Sequence, residues 1–152
     1  MKINIIAIGK IKEKYFTQAL DEYIKRSSRY CSVRVIELPD APPSKSQDEQ
    51  SQIESAQLLE KASGYVVAMD GRGELVSSEG LADLINAKGV EGAKEISFLI
   101  GGSHGHTDEL RKRADAVLSF GKITLPHQLF RVILAEQIYR ALAINASLPY
   151  HK

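Results

Sequence analysis

A single cysteine, Cys31, leaves no partner for an internal disulfide, so nothing in the chain calls for an oxidising compartment and the cytoplasm is the expected location. No apolar run approaches the roughly 18 residues of a membrane span, which argues against a membrane protein. Charge of neither sign is in excess: 20 Lys and Arg stand against 19 Asp and Glu, for a net charge of +1. Capture of free nucleic acid by bulk charge is therefore not expected. The basic residues come in local clusters (Lys10, Lys12 and Lys14; Lys25, Arg26 and Arg29; Arg111, Lys112 and Arg113), each of which reads as a solvated face.

Several motifs are missing as well. Neither a G-x-G-x-x-G nor a G-x-x-x-x-G-K-[ST] spacing occurs, which counts against a dinucleotide or nucleoside-triphosphate site, and no G-x-S-x-G marks a serine nucleophile. His104 and His106 stand two apart, but no carboxylate or thiol cluster completes a ligand set, so no metal is expected. The N-terminus, Met1 to Gly9, has a short apolar core interrupted by Asn4 and no small-residue cleavage pattern before Lys10 to Lys14. It reads as a first strand, not a signal peptide.

What is present is an alternation of strand and helix patterns over 152 residues, a length that suits one domain. Ile3–Ile8 reads as a buried strand, and Tyr15–Ser28 as a helix with Phe16, Leu20, Tyr23 and Ile24 on one face. Val33–Leu38 is a second strand, after which Pro39 to Ser44 forbids regular structure and reads as a mobile loop. Gln47–Ala62 is a polar helix with a thin apolar face of Ile53, Ala56, Leu58 and Leu59. Tyr65–Met69 is a third strand closed by Asp70-Gly71-Arg72-Gly73, and a helix follows from about Ser78 with Gly89 past its end. Ile96–Ile100 is a fourth strand and Val117–Phe120 a fifth, and Thr107 caps a helix opening on Asp108 and Glu109. Strands alternating with helices imply an α/β fold, a mostly parallel sheet with helices on both faces.

The closing helix, about His127 to Ala146, has successive apolar residues at Val132 to Ala135 and again at Ala141 to Ile144. Its apolar surface runs most of the way round, so either it is a central core helix or a second subunit covers part of it. Of the two, a homodimer is the simpler cover.

Two loops at strand ends draw attention, because ligands of open α/β sheets bind there. Gly101-Gly102-Ser103-His104-Gly105 has the glycines that permit close backbone approach, yet it fits a structural turn equally well. Phe120 to Leu125 carries little acid or base chemistry and offers backbone donors and acceptors with apolar walls, suited to an adenine ring and a ribose, or else it is a plain connection. The last residues, Leu148 to Lys152, set an aromatic ring, a histidine and a cation side by side, as a nucleic-acid contact would, although chain ends are more often simply solvated.

At these residues the chain resembles the SPOUT superfamily of methyltransferases, in particular its small single-domain branch, the ribosomal RNA large subunit methyltransferase H family. The resemblance runs from Ile3-Asn4-Ile5-Ile6-Ala7-Ile8-Gly9-Lys10 through Leu99 to Ser103 and Thr124-Leu125-Pro126-His127-Gln128 to Glu136-Gln137-Ile138-Tyr139-Arg140-Ala141 and Pro149-Tyr150-His151-Lys152. It implies one SPOUT domain over residues 1–152 with a C-terminal trefoil knot, and an obligate homodimer. The implied activity is S-adenosylmethionine-dependent methylation at N3 of a pseudouridine in 23S rRNA, on assembled ribosomes.

The cofactor contacts it implies fall on Met69, Gly101, Phe120, Gly121, Lys122, Ile123, Thr124 and Leu125. A proton must leave N3, for which His151 and then His127 are the candidate bases, while Arg131, Arg140, Tyr150 and Lys152 are candidates for contact with RNA. The chain departs from the family at His106-Thr107, where Leu-Ser is more usual; this weakens any catalytic role for His106. Two other readings stay open, a non-catalytic ribosome-binding dimer and a SPOUT enzyme acting on tRNA, the latter disfavoured by the lack of an appended RNA-binding domain.

Overall fold

The computed structural model describes residues 1–151, with His151 described through its backbone alone. Strand and helix alternate: β1 (Lys2–Ile8), α1 (Lys14–Ser27), β2 (Ser32–Leu38), α2 (Gln47–Lys61), β3 (Tyr65–Leu75), α3 (Ser78–Val90), β4 (Glu95–Ile100), α4 (Asp108–Arg113), β5 (Ala116–Ser119) and α5 (His127–Asn145). A 3-10 turn follows at Pro149–His151. The strands form one sheet in the order β2-β1-β4-β3-β5, and every pairing is parallel. β1 lies inside the sheet, covered on both faces, which is why it reads as an unbroken apolar run and not as an alternation.

Alternate residues of the central strands feed two cores. Ile3, Ile5, Phe98 and Ile100 face α1, α3 and α5, while Ile6, Ile8 and Leu99 meet Leu58 of α2 and Leu110 of α4 on the other side. Side-chain caps start three of the helices: Ser46 Oγ accepts from the Glu49 N–H at 3.2 Å, Ser77 Oγ from Gly80 at 3.0 Å, and Thr107 Oγ1 from Leu110 at 3.1 Å.

Four expectations are corrected. β3 does not stop at Met69 but runs on to Leu75, its register against β5 shifting between Met69 and Glu74. Gly73 makes the extension possible, since a Cβ there would lie 2.6 Å from the Val117 backbone. Gly89 lies inside α3, and the positive-φ glycine beyond that helix is Gly92. The buried face of α2 is Glu54, Ser55 and Leu58, so two polar residues point inward where an apolar stripe was sought. The Pro39–Ser44 loop has no regular structure, but it is pinned: Ala41 is buried and its N–H donates to Glu54 Oε2 at 2.9 Å.

α5 packs against both α1 and α3, and its Leu134, Ala135, Ile138 and Ala141 are buried in the same core. Its broad apolar surface is thus largely covered by its own chain. At its first turn, Arg131 is fully buried. Its Nη1 donates to Glu37 Oε2 at 2.8 Å, and Nη2 donates to the carbonyls of Ile8 at 3.3 Å and Gly9 at 3.2 Å. Burial pulls the Arg131 pKa below its ordinary value, and the Glu37 carboxylate opposes that shift. Glu37 Oε2 also accepts the Ile11 N–H at 2.9 Å, and Gln128 Oε1 accepts that of Lys12 at 3.0 Å.

Arg131 therefore clamps the carboxyl ends of β1 and β2 to α5, and leaves no face for the RNA phosphate assigned to it from the sequence. Removing one member of such a pair strands the other groups. Arg131→Ala is expected to lower unfolding free energy by about 3–5 kcal/mol in urea titration, and Arg131→Met, which keeps most of the volume, by less.

Candidate ligand cleft at the strand ends

β4, β3 and β5 lie side by side, and the carboxyl ends of β4 and β5 together with Met69 to Gly71 in the middle of β3 deliver residues to one cleft of about 1240 Å³. Such a volume takes a ligand larger than a single nucleobase. Met69 lines it from within β3, just before the register shift, Ile100 ends β4 with Gly101 next to it, and Leu118 and Ser119 end β5 with Phe120 following. All eight positions carried over from the family, Met69, Gly101, Phe120, Gly121, Lys122, Ile123, Thr124 and Leu125, line this cleft, as does His127. Parallel strands explain the convergence: β4 and β5 end at the same edge, and a loop must turn there before the next helix.

The walls differ in character. Met69, Ile100 and Leu118 are buried and apolar at the base. Phe120 stacks on Phe130 of α5 with ring centres 5.4 Å apart, which fixes one side. Between them, Ser119 Oγ accepts the Gly121 N–H at 3.1 Å and donates to the Gly121 carbonyl at 3.2 Å, holding that glycine at φ +130°. Lys122 to Leu125 line the cleft and lie outside strand and helix, so their backbone groups belong to neither ladder. The opposite rim comes from Glu13, Tyr15 and Phe16 at the start of α1, held close by the Lys12 to Gln128 bond.

At Gly101 an added Cβ would lie 3.2 Å from the Gly105 carbonyl carbon and 3.2 Å from His106 Nδ1. The glycine is needed there for space. His106, only 7% exposed, sits behind it with Nε2 3.2 Å from the Leu99 carbonyl, a contact that requires the proton on Nε2. Burial holds the His106 pKa below its ordinary 6.5, outweighing the Leu99 and Met69 carbonyls and Asp70, which favour the cation. Arg111 Nη1 donates to Asp70 Oδ2 at 3.0 Å and to the His106 carbonyl at 2.8 Å, tying β3 to the glycine turn. Sequence reasoning left His106 and Arg111 out of the site. The departure from Leu at 106 was the only available signal, and a basic cluster at 111–113 hid an arginine whose side chain is 14% exposed.

The residues singled out near the end of the chain lie elsewhere on the molecule. Tyr150 Oη donates to Glu136 Oε1 at 3.1 Å, and its ring meets Tyr139 edge-on at 4.6 Å. Arg140 Nη2 donates to the same Glu136 oxygen at 2.5 Å and lies over the Tyr150 ring. Burial, then the bond to Glu136, pushes the Tyr150 phenol up to about 12. Glu136 stands nine residues along α5 from His127, roughly 13 Å of helical rise, so within one chain this cluster does not share the cleft. The side chain of His151, and Lys152, lie outside the described residues. Among the described residues no helix is long and apolar enough to cross a membrane, and no group of three or more His, Cys, Asp or Glu is placed to hold a metal.

Known proteins resemble the chain throughout. A family model described as "Predicted SPOUT methyltransferase" matches residues 1–151. A protein of Oenococcus oeni named ribosomal RNA large subunit methyltransferase H is 46% identical over 159 aligned positions, covering 100% of this chain and 99% of the relative. One of the same name from Clostridium novyi is 49% identical, with 100% of both covered. Among solved structures, a probable methylase family protein from Haemophilus influenzae superposes with a TM-score of 0.55 at 12% identity, covering 99% of this chain and 70% of that one, a likeness of fold.

Gly101→Ala tests the geometry directly. We expect a loss of about 1–3 kcal/mol in urea titration from overpacking, together with a shifted His106 ring resonance in NMR. An unmoved resonance would mean that the glycine turn gives way instead.

Proposed function

Because the chain belongs to the SPOUT methyltransferases and, within them, to the ribosomal RNA large subunit methyltransferase H family, we propose that it transfers a methyl group from S-adenosylmethionine to N3 of a pseudouridine in 23S rRNA. The observation that carries this reading is the strand-end cleft, whose lining includes every position the family resemblance assigns to the cofactor. The residues present fit such a group. Buried Met69, Ile100 and Leu118 offer an apolar seat for an adenine ring, Gly101 admits close backbone approach, and the 122–125 backbone supplies donors and acceptors for the base edge and ribose.

When bound, the cofactor supplies an electrophilic methyl on a sulfonium. The chain's task is then position and proton removal. Phe120 to Leu125 and Gly101 would hold and orient the donor against the acceptor. The N3–H bond breaks as the N3–methyl bond forms, and the proton passes to a base. His127, half-buried on the cleft wall, and His151 are the groups we assign to that step.

The acting unit in this reading is a homodimer whose C-terminal segment forms a trefoil knot, and it works in the cytoplasm where ribosomes are. Two observations support the second copy. Tyr15 and Ile123, 62% and 83% exposed, stand uncovered at the cleft mouth. Arg140 and Tyr150, the described cation and ring assigned to RNA, lie too far along α5 to serve the cleft of their own chain. The near-zero net charge fits a substrate presented by an assembled ribosome, since bulk attraction to free RNA would be weak.

The test is transfer of radiolabelled methyl from S-adenosylmethionine to intact ribosomes, separated subunits and naked 23S rRNA, all from cells lacking the modification. We expect label on intact ribosomes alone and His151→Ala to reduce it by two orders of magnitude or more. Binding to ribosomes without label would favour a non-catalytic ribosome-binding dimer, and label on tRNA would move the substrate.

A further inference from the structure

A buried histidine behind a cofactor pocket is an unusual choice for a site built from backbone and apolar walls. His106 touches the three elements that shape the glycine turn. Its Nε2 bonds the Leu99 carbonyl at 3.2 Å on β4, its Nδ1 edge lies 3.2 Å from where a Cβ on Gly101 would sit, and its own carbonyl is held by Arg111 of α4 at 2.8 Å. Nδ1 is buried without a hydrogen bond, while the ring lines the cleft. Resting on the reading of the cleft as the methyl-donor pocket, we propose that His106 is a positioning residue. As a neutral ring it wedges the Gly101 turn into its cofactor-receiving position, and on protonation it releases that turn and weakens donor binding.

The physical reason lies in what Nδ1 can do. In the neutral ring it carries a lone pair and packs against the Gly101 backbone like an apolar edge. Once protonated it becomes a buried donor facing a glycine Cα, which can offer nothing in return. The Met69 carbonyl favours the charged ring, but burial outweighs it. The charge would also be wrong. S-adenosylmethionine carries a sulfonium cation, so a second cation behind the pocket opposes it.

Neighbouring charges do not cancel this. Asp70 of β3 acts on the ring as a nearby negative charge, but Arg111 already holds it at 3.0 Å and itself repels a charged imidazole. From α2, Glu54 turns toward Gly102, while Ser51 Oγ donates to the Gly105 carbonyl at 3.1 Å. Across the cleft stand Glu13 and His127, and the second, an imidazole too, must be separated by experiment. The sign follows from linkage. A ring whose pKa in the folded protein lies below 6.5 binds fewer protons than the unfolded chain does, so its contribution to stability holds above about pH 6.5 and falls as pH drops below it; in the proposal donor affinity falls in the same direction because the charged ring releases the turn.

The experiment is calorimetric binding of S-adenosylmethionine to the full-length wild type, His106→Leu, His106→Ala and His127→Ala at intervals from pH 8 to pH 5, with NMR titration of the His106 ring in free and bound protein. We expect wild-type affinity to fall by about tenfold between pH 8 and pH 5, His127→Ala to show the same relative fall whatever its affinity at pH 8, His106→Leu to change by less than twofold over that range, and His106→Ala to bind about tenfold more weakly than wild type at pH 8. The ring pKa should drop further when the donor binds. No binding by wild type at pH 8 would overturn the reading of the cleft itself. Binding with the same pH profile in His106→Leu, or wild-type affinity in His106→Ala, would overturn the role of His106 and leave the cleft standing. Should His106→Leu prove unfolded by circular dichroism, an unchanged ring pKa on donor binding in the wild type decides against the proposal on its own.

Discussion

The clamp between Arg131 and the ends of β1 and β2 is the interaction on which the rest of the structure depends. A guanidinium with no access to water is costly to bury, and here it is matched by one carboxylate and two backbone carbonyls. Those partners sit where two strands stop, and the arginine sits in the first turn of α5. Its position therefore sets that of Phe130, one residue earlier, whose ring props Phe120 and with it one wall of the cleft. Glu37 serves twice, since the oxygen that meets Arg131 also receives the Ile11 amide and so steers the β1–α1 loop toward the opposite wall. One buried charge thus fixes both sides of the ligand cleft without touching a ligand.

The site works mainly through backbone and shape. Backbone and glycines make up much of the cleft, and of the ionisable groups near it Asp70 is already held by Arg111. A pocket of this kind can orient a cationic, aromatic donor without presenting an acid or base that would react with it.

Much of the architecture was legible in the chain because its local signals agreed with its packing. β1 and β4 are apolar runs of strand length, Thr107 stands where a cap belongs, and Gly101 follows a strand, so order and class could be read directly. The failures share one cause, long-range contact. Nothing near Arg131 announces that Ile8, 123 residues away, will receive its proton donors, so a buried clamp looked like a surface cation. The extension of β3 depends on Gly73 meeting Val117, and the inward Glu54 on the amide of Ala41; neither is visible in a window of sequence. At the site itself, the lining residues were found through family likeness, whereas His106 and Arg111 were not, because periodicity does not reveal what stands behind a loop.

The strand order carries a consequence for how the protein comes into being on the ribosome. β1, made first, needs β4 beside it and α5 above it, so its apolar run must wait for nearly the whole chain to emerge before its neighbours exist. A nascent chain stalled before residue 127 would hold an unfinished centre, with Ile3, Ile5 and Phe98 lacking the share of their cover that α5 provides. Such an intermediate is open to chaperones and to clumping, and makes the final helix the step that commits the molecule to its fold.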